Sequence, residues 1–175
     1  MQGAYPFALS FPVVPASDGA GEVVEVGSKV TQFQQGEKVA TLFNQGHQYG
    51  PIDGPAAGSG LGGVIDGALR EYGVFNENGL VRAPKNLNHL EASTLPCAAL
   101  TSWNALYGLK PLKPGDTVLV QGTGGVSIFA LQVFYSLSLS LSLSISLSLF
   151  LSLSLSLFLF PCGLLVSHNS ILFVK

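Results

Sequence analysis

The stretch Thr117–Gln132, TVLVQGTGGVSIFALQ, decides the fold. Thr117 to Val120 is a compact apolar run that reads as a strand. Gly122, Gly124 and Gly125 make a turn, and Val126 to Leu131 opens a helix. Glycines at such a turn let the backbone approach a pyrophosphate, whose charge is stabilised by the free amides of the helix N-terminus. The same spacing suits an ordinary strand-to-helix turn. Ser127 stands where the third glycine of a G-x-G-x-x-G pattern would fall, so close packing of helix on strand stays open.

Outward from this turn the chain has two compositions. It has 175 residues, 47% of them apolar, which is enough to build a core. Seventeen of its eighteen Asp, Glu, Lys and Arg residues lie at or before Asp116; the other is Lys175. A formal net charge of −2 with interspersed signs supplies no footprint for nucleic acid. Cys97 and Cys162 are too few for a disulfide framework, so a reducing, cytoplasmic setting is expected. The opening MQGAYPFALSFPVVP lacks the basic and unbroken apolar regions of a secretory signal.

Between the termini the first half reads as mostly β. GEVVEVG, Gly21 to Gly27, alternates as a half-buried strand does, and Lys38 to Phe43 follows after a turn at Gln35–Glu37. Asn44 to Gly67 is rich in glycine and reads as a long surface loop. Ala68 to Phe75 and Leu80 to Ala83 return to strand-like composition. Asn88 with Glu91 three positions on predicts a helix cap, Pro96 predicts a break, and Cys97 to Leu109 predicts a second helix. Trp103 and Tyr107, four apart on that helix, read as core.

Four stretches carry a resemblance: PASDGAGEVV from Pro15, GEKV from Gly36, LPCAALTSW from Leu95, and KPGDTVLVQGTGGVSIFALQ from Lys113. In this order they resemble the medium-chain dehydrogenase/reductase family, in its zinc-type alcohol dehydrogenase-like and quinone oxidoreductase-like branches. The resemblance covers residues 1–132. It implies a β-rich GroES-like catalytic domain followed by the beginning of an α/β Rossmann domain, here incomplete. The boundaries expected are 1–109 for the first, 110–132 for the second, and 133–175 for a low-complexity tail. It further implies hydride transfer between a nicotinamide cofactor, NADP with NAD possible, and a carbonyl, alcohol, quinone or enone. Gly122, Thr123, Gly124, Gly125 and Val126 would contact the pyrophosphate, and Thr101 would lie near the nicotinamide; a helix hydroxyl bonding its own backbone is the equal alternative for Thr101. The partner implied is a small-molecule substrate, with homodimers formed in relatives through a sheet that residues 110–132 only begin.

No zinc is expected. A catalytic zinc needs three protein ligands and an open position. Ser17 stands where zinc-dependent relatives carry a histidine, and an alcohol is a poor ligand. Cys97 matches a third-ligand position in some relatives but reads more simply as a small buried residue. His47 and His89 have no close-spaced partners. Asn44, Tyr49 and Thr101 are weak candidates for polar contacts to substrate.

From Ser136 to Leu157 Ser and Leu alternate almost without exception. The tract is too long for an ordinary strand, and as a helix it would spread Leu around the whole circumference. A CT dinucleotide repeat encodes Leu-Ser alternation in every forward frame, and Val codons begin with the GT of a eukaryotic intron. Val133 is therefore where a retained intron could begin, and Thr117–Val120 would be left with an exposed sheet edge prone to aggregation. Three readings follow: a zinc-independent oxidoreductase fragment; a catalytically inactive truncated product that is at most an interaction module; and, last, membrane attachment, disfavoured because basic flanks are missing.

Overall fold

The computed structural model describes residues 11–113, 116–140 and 171–174. It divides into two compact units, Met1–Leu100 and Thr101–Lys175.

The first unit is built on a three-stranded antiparallel sheet, β1 (Ala20–Glu22), β2 (Lys38–Thr41) and β3 (Leu80–Arg82), in that spatial order. Gly21 faces Val39, and Ala40 faces Val81. Val39, Ala40 and Thr41 are all buried, so the central strand is covered on both faces. Thr41 is tolerated there because its hydroxyl is satisfied, donating to the Ser17 carbonyl at 2.9 Å and accepting from the Gly19 amide at 3.0 Å. The strand expected through Val26 stops at Glu22. Beyond it Val23 still exchanges bonds with Glu37 and Gly36, but Val24 and Val26 face solvent.

Ala68–Phe75, expected as a strand, is irregular. Its first amides are committed elsewhere: Ala68 donates to the Ala16 carbonyl and Leu69 to that of Pro15. The Arg70 guanidinium lies 5.0 Å from the centre of the Phe75 ring, and Val74 is fully exposed. The glycine-rich loop gains one helical turn, α1 (Gly54–Ala57). Asp53 caps it by accepting from the Ala56 amide, and Pro55 sits in its first turn, where no intrahelical donor is needed. Ala56 and Leu61 bring this loop into the core with Phe33, Ala83 and Ala92.

α2 (His89–Ala92) begins with the expected cap. Asn88 Oδ1 accepts from the Glu91 amide, and Glu91 Oε2 accepts from the Asn88 amide, each at 2.9 Å. As expected, a second helical stretch restarts at the proline after α2 ends, although Pro96 stands inside its start and not before it. It lies near the start of a wide π turn, Leu95–Ala99, that leads directly into α3 (Leu100–Tyr107), where its missing amide would have had no helical partner.

In the second unit β4 (Thr117–Val120) passes through the glycine turn into α4 (Gly125–Ser140). Strand, turn and helix stand where the sequence puts them, and the helix runs on past Gln132. Leu106 of α3 and Val126 and Ala130 of α4 are buried apolar residues of this unit. One edge of β4 is not exposed as expected: β5 (Ile171–Val174) pairs with it antiparallel, with Val118 opposite Phe173. Among the described residues no strand lies on the other edge. The Ser-Leu tract beyond Ser140, Cys162 and Lys175 fall outside the described residues.

Candidate functional site

The glycine turn of the second unit has the backbone shape a phosphate cradle requires. Gly122 has φ of 77°, a conformation that side-chain-bearing residues rarely adopt, and it turns the chain from β4 toward α4. The Gly124 carbonyl accepts from the Ile128 amide at 3.0 Å, closing the first helical turn. The amides of Gly125, Val126 and Ser127 therefore open a sixteen-residue helix with no i−4 partners of their own. Gly122, Thr123 and Gly125 are exposed, while Val126 is buried beneath them. The residues of the turn fit a pyrophosphate: a backbone without obstructing side chains, and amides at the positive end of a helix.

Ser127 resolves the question its position raised. It is 1% exposed, and its hydroxyl donates to the Gln121 carbonyl at 2.7 Å, tying the helix start back to the end of β4. Where a glycine would allow close packing by having no side chain, serine makes the approach through a hydrogen bond. Ser102, fully buried on α3, donates to the Val126 carbonyl at 2.6 Å and fixes α3 against the first turn of α4. Sequence reasoning passed over Ser102; a hydroxyl one position before Trp103 carries no signal until the two helices are packed.

Thr101 is exposed in the first turn of α3. Trp103 and Tyr107 touch with ring centres 4.8 Å apart and planes tilted by 42°, but Trp103 is 53% exposed, so the expectation that the pair is core is corrected. Burial pushes the Tyr107 hydroxyl above the usual tyrosine range.

A second polar grouping lies in the first unit. The Ser17 hydroxyl donates to Asp18 Oδ1 at 2.5 Å, and Asp18 Oδ2 accepts from the Cys97 amide at 3.2 Å. The loop just before β1 and the π turn, distant in sequence, thus meet at one carboxylate. Cys97 is exposed and free, not the small buried residue expected. The donor set does not fit zinc: Ser17 gives its proton to Asp18, and among the described residues no three His, Cys, Asp or Glu side chains converge on a metal position.

Asn44 is half-buried and bridges to Gly60 through its backbone, while Tyr49 is 87% exposed. With His47, Gln48, Asp53, Asn76 and Asn78, Tyr49 borders a polar depression of about 500 Å³. The polar groups there hold the loop itself: His47 Nε2 pairs with the Gly50 carbonyl at 2.9 Å, and Gln48 donates to the Asn78 carbonyl at 3.1 Å. His89 stands exposed at the start of α2. Neither Asn44 nor Tyr49 is brought to the Ser17–Asp18 pair by any described contact. Among the described residues no helix is long and apolar enough to cross a membrane.

Comparison with known proteins agrees with this architecture. Residues 1–85 match the alcohol dehydrogenase GroES-like domain. A zinc-type alcohol dehydrogenase-like protein of Schizosaccharomyces pombe is 50% identical over 133 residues, covering 75% of this chain and 38% of that protein. A chloroplast envelope quinone oxidoreductase homolog of Arabidopsis thaliana is 36% identical over 129 residues, covering 70% and 34%. A solved structure from Sinorhizobium meliloti, provisionally named an alcohol dehydrogenase, superposes with a TM-score of 0.68 at 47% identity, covering 75% of this chain and 39% of its own. The chain thus spans well under half the length of these relatives. A GroES-like unit followed by a strand, glycine turn and helix is thus similar, in sequence and in structure, to the corresponding part of medium-chain dehydrogenase/reductase proteins.

Proposed function

We propose that this chain carries the GroES-like unit and the first part of the cofactor unit of a zinc-independent NAD(P)-dependent oxidoreductase acting on a small alcohol, carbonyl, quinone or enone. The observation that carries the proposal is the turn Gly122–Val126, with a positive-φ glycine, exposed backbone and, at the start of α4, amides that have no i−4 carbonyl within the helix. Gly122, Thr123, Gly124, Gly125 and Val126 would hold the pyrophosphate, and Thr101 would contact the nicotinamide. The cofactor, when bound, supplies or accepts hydride. The chain's own part is to bind its phosphates through backbone amides, which cost no reorganisation because the turn is already formed. Ser102 and Ser127 keep it formed by fixing the first turn of α4 from two sides. NADP is favoured over NAD from the branch that the sequence resembles.

Titrating the purified chain with NADPH and following its fluorescence tests this reading. Saturable change is expected; unchanged emission up to millimolar concentration would refute binding.

A second reading is supported by the pairing of β4. A Rossmann sheet places parallel neighbours beside its first strand, whereas here an antiparallel C-terminal strand occupies one edge. On this reading the chain is an inactive product whose residues 133–175 come from a retained intron. Sequencing the transcript across Gln132 tests it: a spliced message lacking the Ser-Leu codons is expected, and a mature message with matching peptides refutes the mistaken-gene version.

A further inference from the structure

The short 3-10 turn Glu77–Gly79, just ahead of β3, contains Asn78–Gly79, the one Asn-Gly pair in the sequence. Two segments distant in sequence are anchored on it. The Glu77 carboxylate accepts from the amides of Thr31 and Gln32, each at 2.9 Å, and Asn78 Oδ1 accepts from Gln32 Nε2 at 3.0 Å. Gln48 Nε2 donates to the Asn78 carbonyl, while the Leu42 amide and Gln45 Nε2 both donate to the Gly79 carbonyl. A β-carbon at position 79 would run into the Gln45 side chain, so the packing keeps a glycine behind this asparagine.

An Asn-Gly pair carries its own reaction. With no β-carbon on the glycine to obstruct it, the backbone nitrogen of Gly79 can close on the side-chain amide carbon of Asn78. The new C–N bond replaces the bond to Nδ2, which leaves as ammonia with the proton of the Gly79 amide. Water then opens the cyclic imide at either carbonyl, giving aspartate or isoaspartate; one water is consumed, one ammonia is released and nothing is oxidised. In the folded chain both reacting groups are engaged. Gly79 is buried and its amide donates to the Asn76 carbonyl at 2.9 Å, while Asn78 is exposed to water but held by Gln32. We propose that Asn78 is a deamidation site latched by the fold, at which the imide forms only when the turn opens and the Gly79 amide leaves Asn76. The product carries a second negative charge beside Glu77 and, as isoaspartate, an extra backbone methylene, so modification loosens the hold on Thr31, Gln32 and Gln48. The site is independent of the oxidoreductase reading.

The test ages the full chain in mildly alkaline buffer, folded or in guanidinium chloride, and then digests it with trypsin. Cleavage after Arg70 and Arg82 releases Glu71–Arg82 as one peptide, in which mass spectrometry locates each conversion of amide to acid. Asn76, followed by the bulkier Glu77, lies in the same peptide and is the internal control. In the unfolded chain Asn78 should deamidate well ahead of Asn76. In the folded chain Asn78 should react roughly tenfold more slowly or less, the factor set by an opening that breaks two hydrogen bonds. Gln32→Ala removes the side-chain bond to Asn78 but leaves the backbone bond to Glu77, and should speed the folded-state reaction about fivefold without changing the unfolded rate. Gln48→Ala tests the latch from the other segment, and circular dichroism melts confirm that each variant folds. Equal rates in the folded and unfolded chain, an Asn78 that is no faster than Asn76 when unfolded, or both variants at the parent's folded-state rate would each overturn the proposal.

Discussion

Replacing Ser127 with glycine would complete the glycine spacing usual for a dinucleotide turn, and the structure predicts that it weakens this protein. Ser127 is almost wholly buried, and its hydroxyl bonds the Gln121 carbonyl at 2.7 Å. Loss of that bond costs about 1 kcal/mol. Glycine in a helical turn costs about 1 kcal/mol more than alanine through backbone entropy. Ser127→Gly should therefore destabilise by about 2 kcal/mol, and Ser127→Ala by about half as much. Trp103 is the chain's single tryptophan, on the helix that Ser102 ties to α4, so its fluorescence follows the right region. With a urea slope of about 1–3 kcal/mol per molar, the glycine variant's midpoint should fall by about 1 M. A glycine variant as stable as the parent, or more so, would refute the argument that the hydrogen bond replaces close packing.

Gly67→Ala should be severe, about 3 kcal/mol or more, because the new methyl would meet the carbonyl oxygens of Ala16 and Pro15 at 2.0 and 2.5 Å, and backbone cannot rotate away; thermal melting would show it. Asn88→Ala removes one arm of the cap on α2 and should cost about 1 kcal/mol in the same assay. The amides of Thr31 and Gln32 hold the Glu77 carboxyl below its ordinary 4.5. Its stabilising contribution is thus present above pH 4.5 and is lost as pH falls through the lowered folded value. Urea titrations across acid pH should show the parent's advantage over Glu77→Gln shrinking below pH 4.5; an advantage that stays constant would contradict it.

How far the sequence disclosed this structure depends on whether the signal was local. Strand β4, the glycine turn and the cap at Asn88 were legible because each is specified by neighbours within a few residues. Ala68–Phe75 misled because its composition suits a strand while its first amides are captured by Pro15 and Ala16, some fifty residues earlier, a contact that no periodicity reveals. Val24 and Val26 misled in the opposite way, alternating like a buried strand while facing solvent. At the candidate site, the turn at Gly122–Val126 could be located in advance as a link from strand to helix. Ser17, by contrast, was noticed only for failing to be a metal ligand; its partnership with Asp18 and Cys97 emerges when residues 79 positions apart meet. The pairing of β4 with β5 joins two apolar segments that nothing in their spacing connects.

A formed phosphate cradle at Gly122–Val126 is the feature on which the proposed function rests. Backbone amide spectra of isotope-labelled chain, recorded while NADPH is added, test it at the atoms concerned. The amides of Gly122, Gly124, Gly125 and Val126 should shift first and saturate together, while those of the polar loop around Tyr49 stay in place. Spectra unchanged to millimolar NADPH, or shifts confined to residues away from the turn, would contradict it.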